Sequence, residues 1–352
     1  MKIKSNIREY TVTIEQNFLF AAELANRKNA LYVIDENVYN IYKETLFTQI
    51  SNDRLVIIEA IEDNKVIETA LRVCEVMTKI PAKRNAHLIS FGGGIIQDIT
   101  GFAANILYRG VHWTFVPTTL LAACDSCIGS KTSINYKNYK NLLGTFYPPE
   151  QIHICPLFFQ TLSDKDFMSG LGEVVKFNIM AGLEGLNRME ADINGLFQRN
   201  NKILSDYLEA SLNYKKPFIE ADEFDRGVRV HLNFAHTFGH AFETASNYDI
   251  PHGTAVAMGM IVANRISLGR KYLDESIVER AESVLKKIIN VDYVRCEFEI
   301  NKIIDAIRKD KKQTSDELTA ILLHDNMKLG IHKDLSVEEI VYGINSLYNC
   351  FK

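Results

Sequence analysis

Four short apolar runs in the first third of the chain restrict its fold more than any other feature. They are Leu31–Ile34 (LYVI), Leu55–Ile58 (LVII), His87–Phe91 (HLISF) and Trp113–Val116 (WTFV). Each has the length and aliphatic content of a buried strand. Between the second and third, Ile67, Ala70, Leu71, Cys74 and Met77 fall on one side of a helix-spaced segment, 66–79. Strands alternating with helices predict an α/β domain around a parallel sheet. After about residue 150 helical spacing dominates, over 164–182, 202–220, 232–246, 253–270 and 275–289. Ser336 and Glu339 read as a capping box for a last helix ending near Leu347. At 352 residues the chain is long enough for two cores. Pro148, Pro149 and Pro156 mark the change, so we expect an α/β domain over 1–150 and a mainly α-helical one over 151–352.

A formal net charge of −4 argues against bulk nucleic-acid binding and offers no polybasic membrane patch. Any anionic ligand must therefore be held by a local cluster of Lys and Arg. Six cysteines scattered over a large chain fit a reducing compartment, which places the protein in the cytoplasm. The first residues hold no long apolar run, and no segment reaches the ~18 apolar residues of a membrane span.

Chemistry concentrates in four stretches. Between Arg229 and His252 lie His236, His240 and His252, with Asn233 just ahead of them. His236 and His240 stand one helical turn apart, and three imidazoles this close suit a first-row metal, most often zinc. Spacing favours His236 and His240 as a pair but cannot say which two bind; the plain alternative is a polar helix face. HLISF runs into Gly92-Gly93-Gly94 and then a helix, an arrangement that cradles a phosphate, although the turn is not GxGxxG and could be only a tight strand-to-helix connection. Asp35, at the end of an earlier strand, suits a ribose hydroxyl. The turn-rich stretch Thr118–Gly144 holds Asp125, Lys131, Lys137, Lys140 and Asn141, with Arg109 upstream. Its cations would neutralise a phosphate, or form an ordinary solvated loop. Cys124 and Cys127 make a lone CxxC among apolar neighbours and read as packing. Glu173 and Lys176 share a face of an apolar helix, as a functional pair or as a simple i,i+3 contact.

Together these stretches resemble the 3-dehydroquinate synthases, a family of sugar phosphate cyclases. The match is collinear from Asp35 to about Lys312, and is densest in GGGIIQDITGF, YRG, VPTTLLA, DSCIGSKT, KNLLGTFYPP, GLGEVVKF, and LNFAHTFGHA followed by PHGTAVAMGM. The resemblance implies an N-terminal Rossmann-like NAD-binding domain and an α-helical metal- and substrate-binding domain, with NAD and Zn2+ (or Co2+) as cofactors. By position it implies Glu173, His236 and His252 as metal ligands, leaving His240 to the substrate. NAD contacts fall on Asp35, Asn37, Glu62, Lys65, Gly93, Gly94, Asp98, Thr118, Thr119, Leu121, Lys140, Asn141 and Thr161. Catalytic positions are Arg109, Asp125, Lys131, Lys176, Asn233 and His240; Lys215, Arg229 and either Lys311 or Lys312 bind substrate. Gln97, Ser130, Tyr139 and Ala235 stand where the family usually has Gly, Thr254 replaces a Glu, and DKKQTSDEL lacks the Gly expected after DKK.

The implied reaction converts 3-deoxy-D-arabino-heptulosonate 7-phosphate into 3-dehydroquinate and phosphate, on the shikimate route. It runs through transient oxidation by NAD, phosphate elimination, re-reduction and an intramolecular aldol closure. Lys215, Arg229 and His240 correspond to positions that recognise the substrate's carboxylate end. Other readings are a cyclase acting on sedoheptulose 7-phosphate or glucose 6-phosphate, a metal-dependent alcohol or glycerol-phosphate dehydrogenase, or a non-catalytic binding protein. The basic cluster and KNLLGTFYPP argue against the dehydrogenase. The family implies a homodimer with a small-molecule sugar phosphate as its partner, and neither nucleic acid nor membrane.

Overall fold

The four apolar runs lie within one seven-stranded sheet of the computed structural model, which describes residues 1–137, 139–296, 298–309, 318–324 and 327–352. In chain order the elements are β1 (Lys2–Ile3), β2 (Tyr10–Ile14), α1 (Leu19–Ala25), β3 (Ala30–Asp35), α2 (Glu36–Tyr42), β4 (Leu55–Ile58), α3 (Ile67–Lys79), β5 (His87–Gly92), α4 (Gly94–Ile106), β6 (His112–Pro117), β7 (Lys131–Tyr136), β8 (Tyr139–Phe146) and β9 (Gln151–Ile154). The sheet runs β1-β2-β9-β6-β5-β3-β4, and only the β1–β2 pair is antiparallel. β3 and β5 are buried at every residue, as strands covered on both faces must be, and so they read as unbroken apolar runs. The chain passes from β3 outward to β4 and returns to β5 on the other side of β3. This makes the carboxyl ends of β3 and β5 a topological switch point, where open α/β sheets hold ligands. β7 and β8 form a separate antiparallel hairpin.

Three strands of this sheet, β1, β2 and β9, escape the sequence reading. β2 (YTVTI) does alternate apolar and polar residues, and β9 lies just past residue 150. By compactness the first unit comprises Met1–Leu162 and Ile219–Phe224, and the second comprises Ser163–Phe218 and Asp225–Lys352.

The rest of the chain carries α5 (Asp164–Met180), α6 (Leu183–Phe197), α7 (Asn201–Ala221), α8 (His236–Ala245), α9 (His252–Gly269), α10 (Glu275–Ile288), α11 (Val291–Arg295), α12 (Ile300–Lys309), β10 (Leu318–His324), β11 (Lys328–Leu335) and α13 (Val337–Cys350). The capping box is present: Glu339 N–H donates to Ser336 Oγ, and Ser336 N–H donates to Glu339 Oε2. Two features differ from expectation. β10 and β11 put an antiparallel hairpin into the helical half. The helix expected from residue 232 begins at His236, because Val228–Asn233 is a 3-10 turn and Ala235 takes a left-handed φ of 68°. No helix among the described residues is long and apolar enough to cross a membrane.

α9 is the central helix of the second unit. It is buried from Gly253 through Asn264, as a helix apolar on every face must be. It meets α5 and α8 backbone to backbone. A Cβ on Gly253 would land 1.7 Å from the Ser169 carbonyl oxygen, and one on Gly172 would land 2.0 Å from that of Gly253. On the α8 side, a Cβ on Gly259 would lie 2.4 Å from Ala235 O. The Gly253 N–H donates to Ser169 Oγ at 3.0 Å, fixing the α5–α9 crossing. A methyl group here has only backbone to push against. We therefore expect Gly253→Ala to lower stability by about 1–3 kcal/mol, the usual cost of overpacking. Gly94→Ala serves as the contrast, since its Cβ would find only Ser126 Oγ at 3.8 Å and should cost nothing. Urea unfolding midpoints check both.

Candidate active site

The α5–α9 crossing brings Glu173, next to Gly172, toward His252, next to Gly253. The Ala235 turn starts α8 with His236. One ligand atom each from Glu173, His236 and His252 lies within 4.8 Å of the others. Glu173 is fully buried and His236 nearly so. Glu173 Oε1 lies 3.4 Å from His252 Nε2 and 3.7 Å from His236 Nε2. The other ring nitrogens face acceptors: His236 Nδ1 lies 3.0 Å from Phe234 O, and His252 Nδ1 lies 3.2 Å from Glu243 Oε2. An Nδ1–H held by an acceptor turns the Nε2 lone pair inward, the way metal-binding imidazoles are oriented. His240, Glu243 and His252 also meet the spacing of a metal group. In that set, however, the His252 Nδ1 is the atom already facing a carboxylate. Neither group among the described residues contains both His236 and His240, the pair that helical spacing favoured. Their rings stand 5.4 Å apart, nearly perpendicular.

The neighbouring cations are also buried. Lys176, 1% exposed, sits with Nζ 2.5 Å from Glu173 Oε2 and 4.4 Å from the Phe177 ring centroid. Lys215 on α7 and Arg229 in the 3-10 turn are each 5% exposed. Asn233 closes that turn, and His240 is half-buried one helical turn beyond His236. Lys311 and Lys312 lie outside the described residues.

The first unit gathers the other expected residues at the carboxyl edge of its sheet. Asp35 ends β3 and caps α2 by accepting the Asn37 N–H at 2.9 Å. Glu62 follows β4, Gly93 and Gly94 join β5 to α4, and Thr118 and Thr119 follow β6. α4 begins with no side-chain cap, so its first N–H groups remain available to an anion. A Cβ on Gly94 would meet Ser126 Oγ at an ordinary contact distance of 3.8 Å. Lys65, nearly buried, pairs with Asp98 Oδ2 at 2.5 Å and donates to Asn141 Oδ1 at 2.6 Å. Lys140 and Asn141 lie on exposed β8, and Leu121 is partly exposed. Thr161 Oγ1 meets the Tyr42 hydroxyl at 3.2 Å.

Three devices hold the expected phosphate-side residues. Arg109 lies in a left-handed run with Tyr108 and Gly110, at φ of 50°, 64° and 115° in chain order. The Tyr147 hydroxyl braces this run by donating to Val111 O at 2.9 Å. Asp125 sits in a π-helical turn, Ala122–Ser126, a form often found at functional sites. Gln97 pins that turn with two hydrogen bonds: its Nε2 donates to Ser126 O at 2.7 Å, and its Oε1 accepts from Ser126 Oγ at 2.6 Å. Ser130, just before Lys131, donates its hydroxyl to buried Glu223 at 2.8 Å. Cys124 and Cys127 are buried free thiols that donate to the backbone carbonyls of Leu121 and Ala123, as packing residues do. Sequence reasoning missed Glu243 and Ser169. The run HTFGHAFE places Glu243 one turn past His240, which could have marked it; Ser169 carries no such signal.

Family models described as 3-dehydroquinate synthase N-terminal and C-terminal match residues 55–169 and 170–313. The 3-dehydroquinate synthase of Clostridium tetani is 35% identical over 330 residues, covering 93% of this chain and 88% of the relative. Among solved structures, 2-epi-5-epi-valiolone synthase from Streptomyces hygroscopicus, with NAD+ and Zn2+ bound, superposes with a TM-score of 0.84 at 25% identity, covering 97% of each chain. A 2-deoxy-scyllo-inosose synthase complexed with carbaglucose-6-phosphate, NAD+ and Co2+ gives 0.83 at 22% identity, covering 99% of each, and shows the shared fold. With a parallel NAD-type sheet, a mainly helical second unit and these relatives across nearly its whole length, the chain belongs to the 3-dehydroquinate synthase family.

Proposed function

We propose that this chain converts 3-deoxy-D-arabino-heptulosonate 7-phosphate to 3-dehydroquinate and phosphate, with Glu173, His236 and His252 as the metal ligands. The observation that carries the reading is the convergence of one buried carboxylate and two acceptor-braced imidazoles. Two nitrogens and one oxygen suit zinc with a position left open for substrate oxygen. The uncapped α4 N-terminus, opened by Gly93 and Gly94, suits the pyrophosphate of a dinucleotide. When bound, NAD+ supplies a reversible hydride acceptor and the metal a Lewis acid.

The remaining work falls to the chain's own groups. Arg109 and Lys131 hold the phosphate and disperse its charge as it leaves, while Asp125 orients the loop side of the substrate. Lys215, Arg229 and His240 hold the carboxylate end, and either Lys311 or Lys312 also binds the substrate. Asn233 and His240 orient the reacting hydroxyl, and His240 relays its proton. Lys176 pairs with the buried Glu173 carboxylate. Asp35, Asn37, Glu62, Lys65, Asp98, Thr118, Thr119, Leu121, Lys140, Asn141 and Thr161 hold the dinucleotide with Gly93 and Gly94. We place the reaction in the cytoplasm and the working form as a homodimer. The free cysteines support the first and the family likeness the second.

The test is a panel of sugar phosphates, assayed for phosphate and for NADH absorbance with zinc and NAD+. We expect phosphate from the heptulosonate phosphate and no net NADH. Phosphate only from sedoheptulose 7-phosphate or glucose 6-phosphate would assign another cyclase reaction, and net NADH without phosphate a dehydrogenase. His252→Ala should lose zinc and turnover yet still bind NAD+ in calorimetry; retained zinc would remove His252 from the ligand set. Glu243→Ala should weaken zinc about 10- to 100-fold, the usual effect of losing a ligand's orienting partner.

The same geometry predicts a pH effect. Burial opposes a charge on His252, but Glu173 and Glu243 hold its pKa up to about 10. The metal-free protein therefore keeps this ring protonated at pH 8, where a free imidazole is neutral. Its ion pairs stabilise the metal-free fold fully below the unfolded value near 6.5, and that contribution fades as pH rises through about 10. Zinc must displace the proton, so apparent zinc affinity should climb with pH until about 10. Nitrogen NMR of the ring, with and without zinc, checks both statements.

A further inference from the structure

We infer that Asn135 is a positioning residue for dinucleotide binding, acting through Asn141. The inference rests on the proposed reading of Glu62, Lys65 and Asn141 as cofactor contacts. Asn135 lies on β7. Its backbone N–H donates to Lys65 O at 2.7 Å. Its side-chain Nδ2 donates to Glu62 Oε2 at 2.8 Å and to Glu62 O at 3.2 Å. Its Oδ1 accepts the Asn141 N–H at 2.9 Å. One side chain thus ties the turn after β4 to the β7–β8 hairpin, on the first unit alone.

The consequence appears at Asn141. Its φ is 52°, in the left-handed region that Asn enters more readily than other side-chain-bearing residues, and the bond from Asn135 pins that peptide. Its side-chain Oδ1 accepts from Lys65 Nζ at 2.6 Å and from Ser133 Oγ at 2.9 Å, using both lone pairs. What the amide has left to offer a ligand is its NH2, two donors suited to an acceptor on a phosphate, a ribose or a purine ring. Asn135 fixes where those donors sit.

The experiment is calorimetric NAD+ binding to the full chain, with zinc content and melting temperature followed in parallel. Variants are Asn135→Ala, Asn141→Ala and the double change. Each single change should weaken NAD+ binding about five- to tenfold, the scale of one or two lost hydrogen bonds. The double variant should bind no worse than Asn141→Ala, because Asn135 acts through that residue. A general loss of structure would instead add to the Asn141 effect, and additive losses would overturn the proposal. Binding like the unaltered protein in Asn135→Ala, beside a weakened Asn141→Ala, would also overturn it while leaving the cofactor reading intact. If Asn141→Ala and Lys65→Ala both bind NAD+ normally, the cofactor reading itself fails, and this proposal with it. Should Asn135→Ala lose its cooperative melt, Asn135→Ser takes its place with the same expected outcomes.

Discussion

Everything in the second unit depends on α9 touching α5 and α8 through bare backbone. Helices usually pack with axes about 8–10 Å apart, held off by side chains. Here Gly172, Gly253 and Gly259 remove that layer at the contact points. The residues beside those points are Glu173, His252 and, through the Ala235 turn, His236. Ligand atoms within 4.8 Å of one another are thus a consequence of how closely the helices approach. A crossing even slightly wider would leave a carboxylate and two imidazoles that no single ion could join.

The same closeness creates an electrostatic demand. A carboxylate with no solvent exposure is costly unless cations meet it. Lys176 meets one Glu173 oxygen, and the imidazoles face the other. With Glu243 on the far side of His252, two carboxylates flank that ring, which is why it takes a proton so readily in the absence of metal. A divalent ion bound by the proposed ligands would answer the same demand with more charge. In the proposed site, proton and metal are therefore competitors for one electrostatic well.

The sheet was legible because β3, β4, β5 and β6 are written as short apolar runs, each bounded by turn residues. Its outer strands were harder. β2 alternates over only five residues, and β9 hides among prolines. In the helical half, periodicity carried α5, α7, α9 and α10 to within a few residues, yet hid β10, whose run LTAILLH is as apolar as a helix core. It also smoothed over the break at Ala235. Periodicity reports which face is buried, and a left-handed residue between a 3-10 turn and a helix leaves little trace in it. For the same reason, spacing alone favoured His236 with His240. What brings Glu173 to His236 and His252 is a contact between helices far apart in sequence, which no local pattern encodes.

The departures from the family pattern show what the backbone requires when its side chains change. Ser130 and Ala235 stand where Gly is usual, and both hold left-handed φ, 63° and 68°. Holding that conformation without glycine costs roughly 1–2 kcal/mol at each position. Ser130 offsets part of this with its hydroxyl on buried Glu223, which also gathers Ser5 and the Asn6 N–H. Lys131 thereby follows a residue anchored more firmly than a glycine could be. Ala235 meets the same requirement with the smallest side chain that has a Cβ, its carbonyl turned toward the room left by Gly259. Gln97 is a different case: its helix is ordinary, and its amide locks the π-turn bearing Asp125. Ser130 and Gln97 thus fix the backbone next to Lys131 and Asp125 with side-chain hydrogen bonds that a glycine could not make.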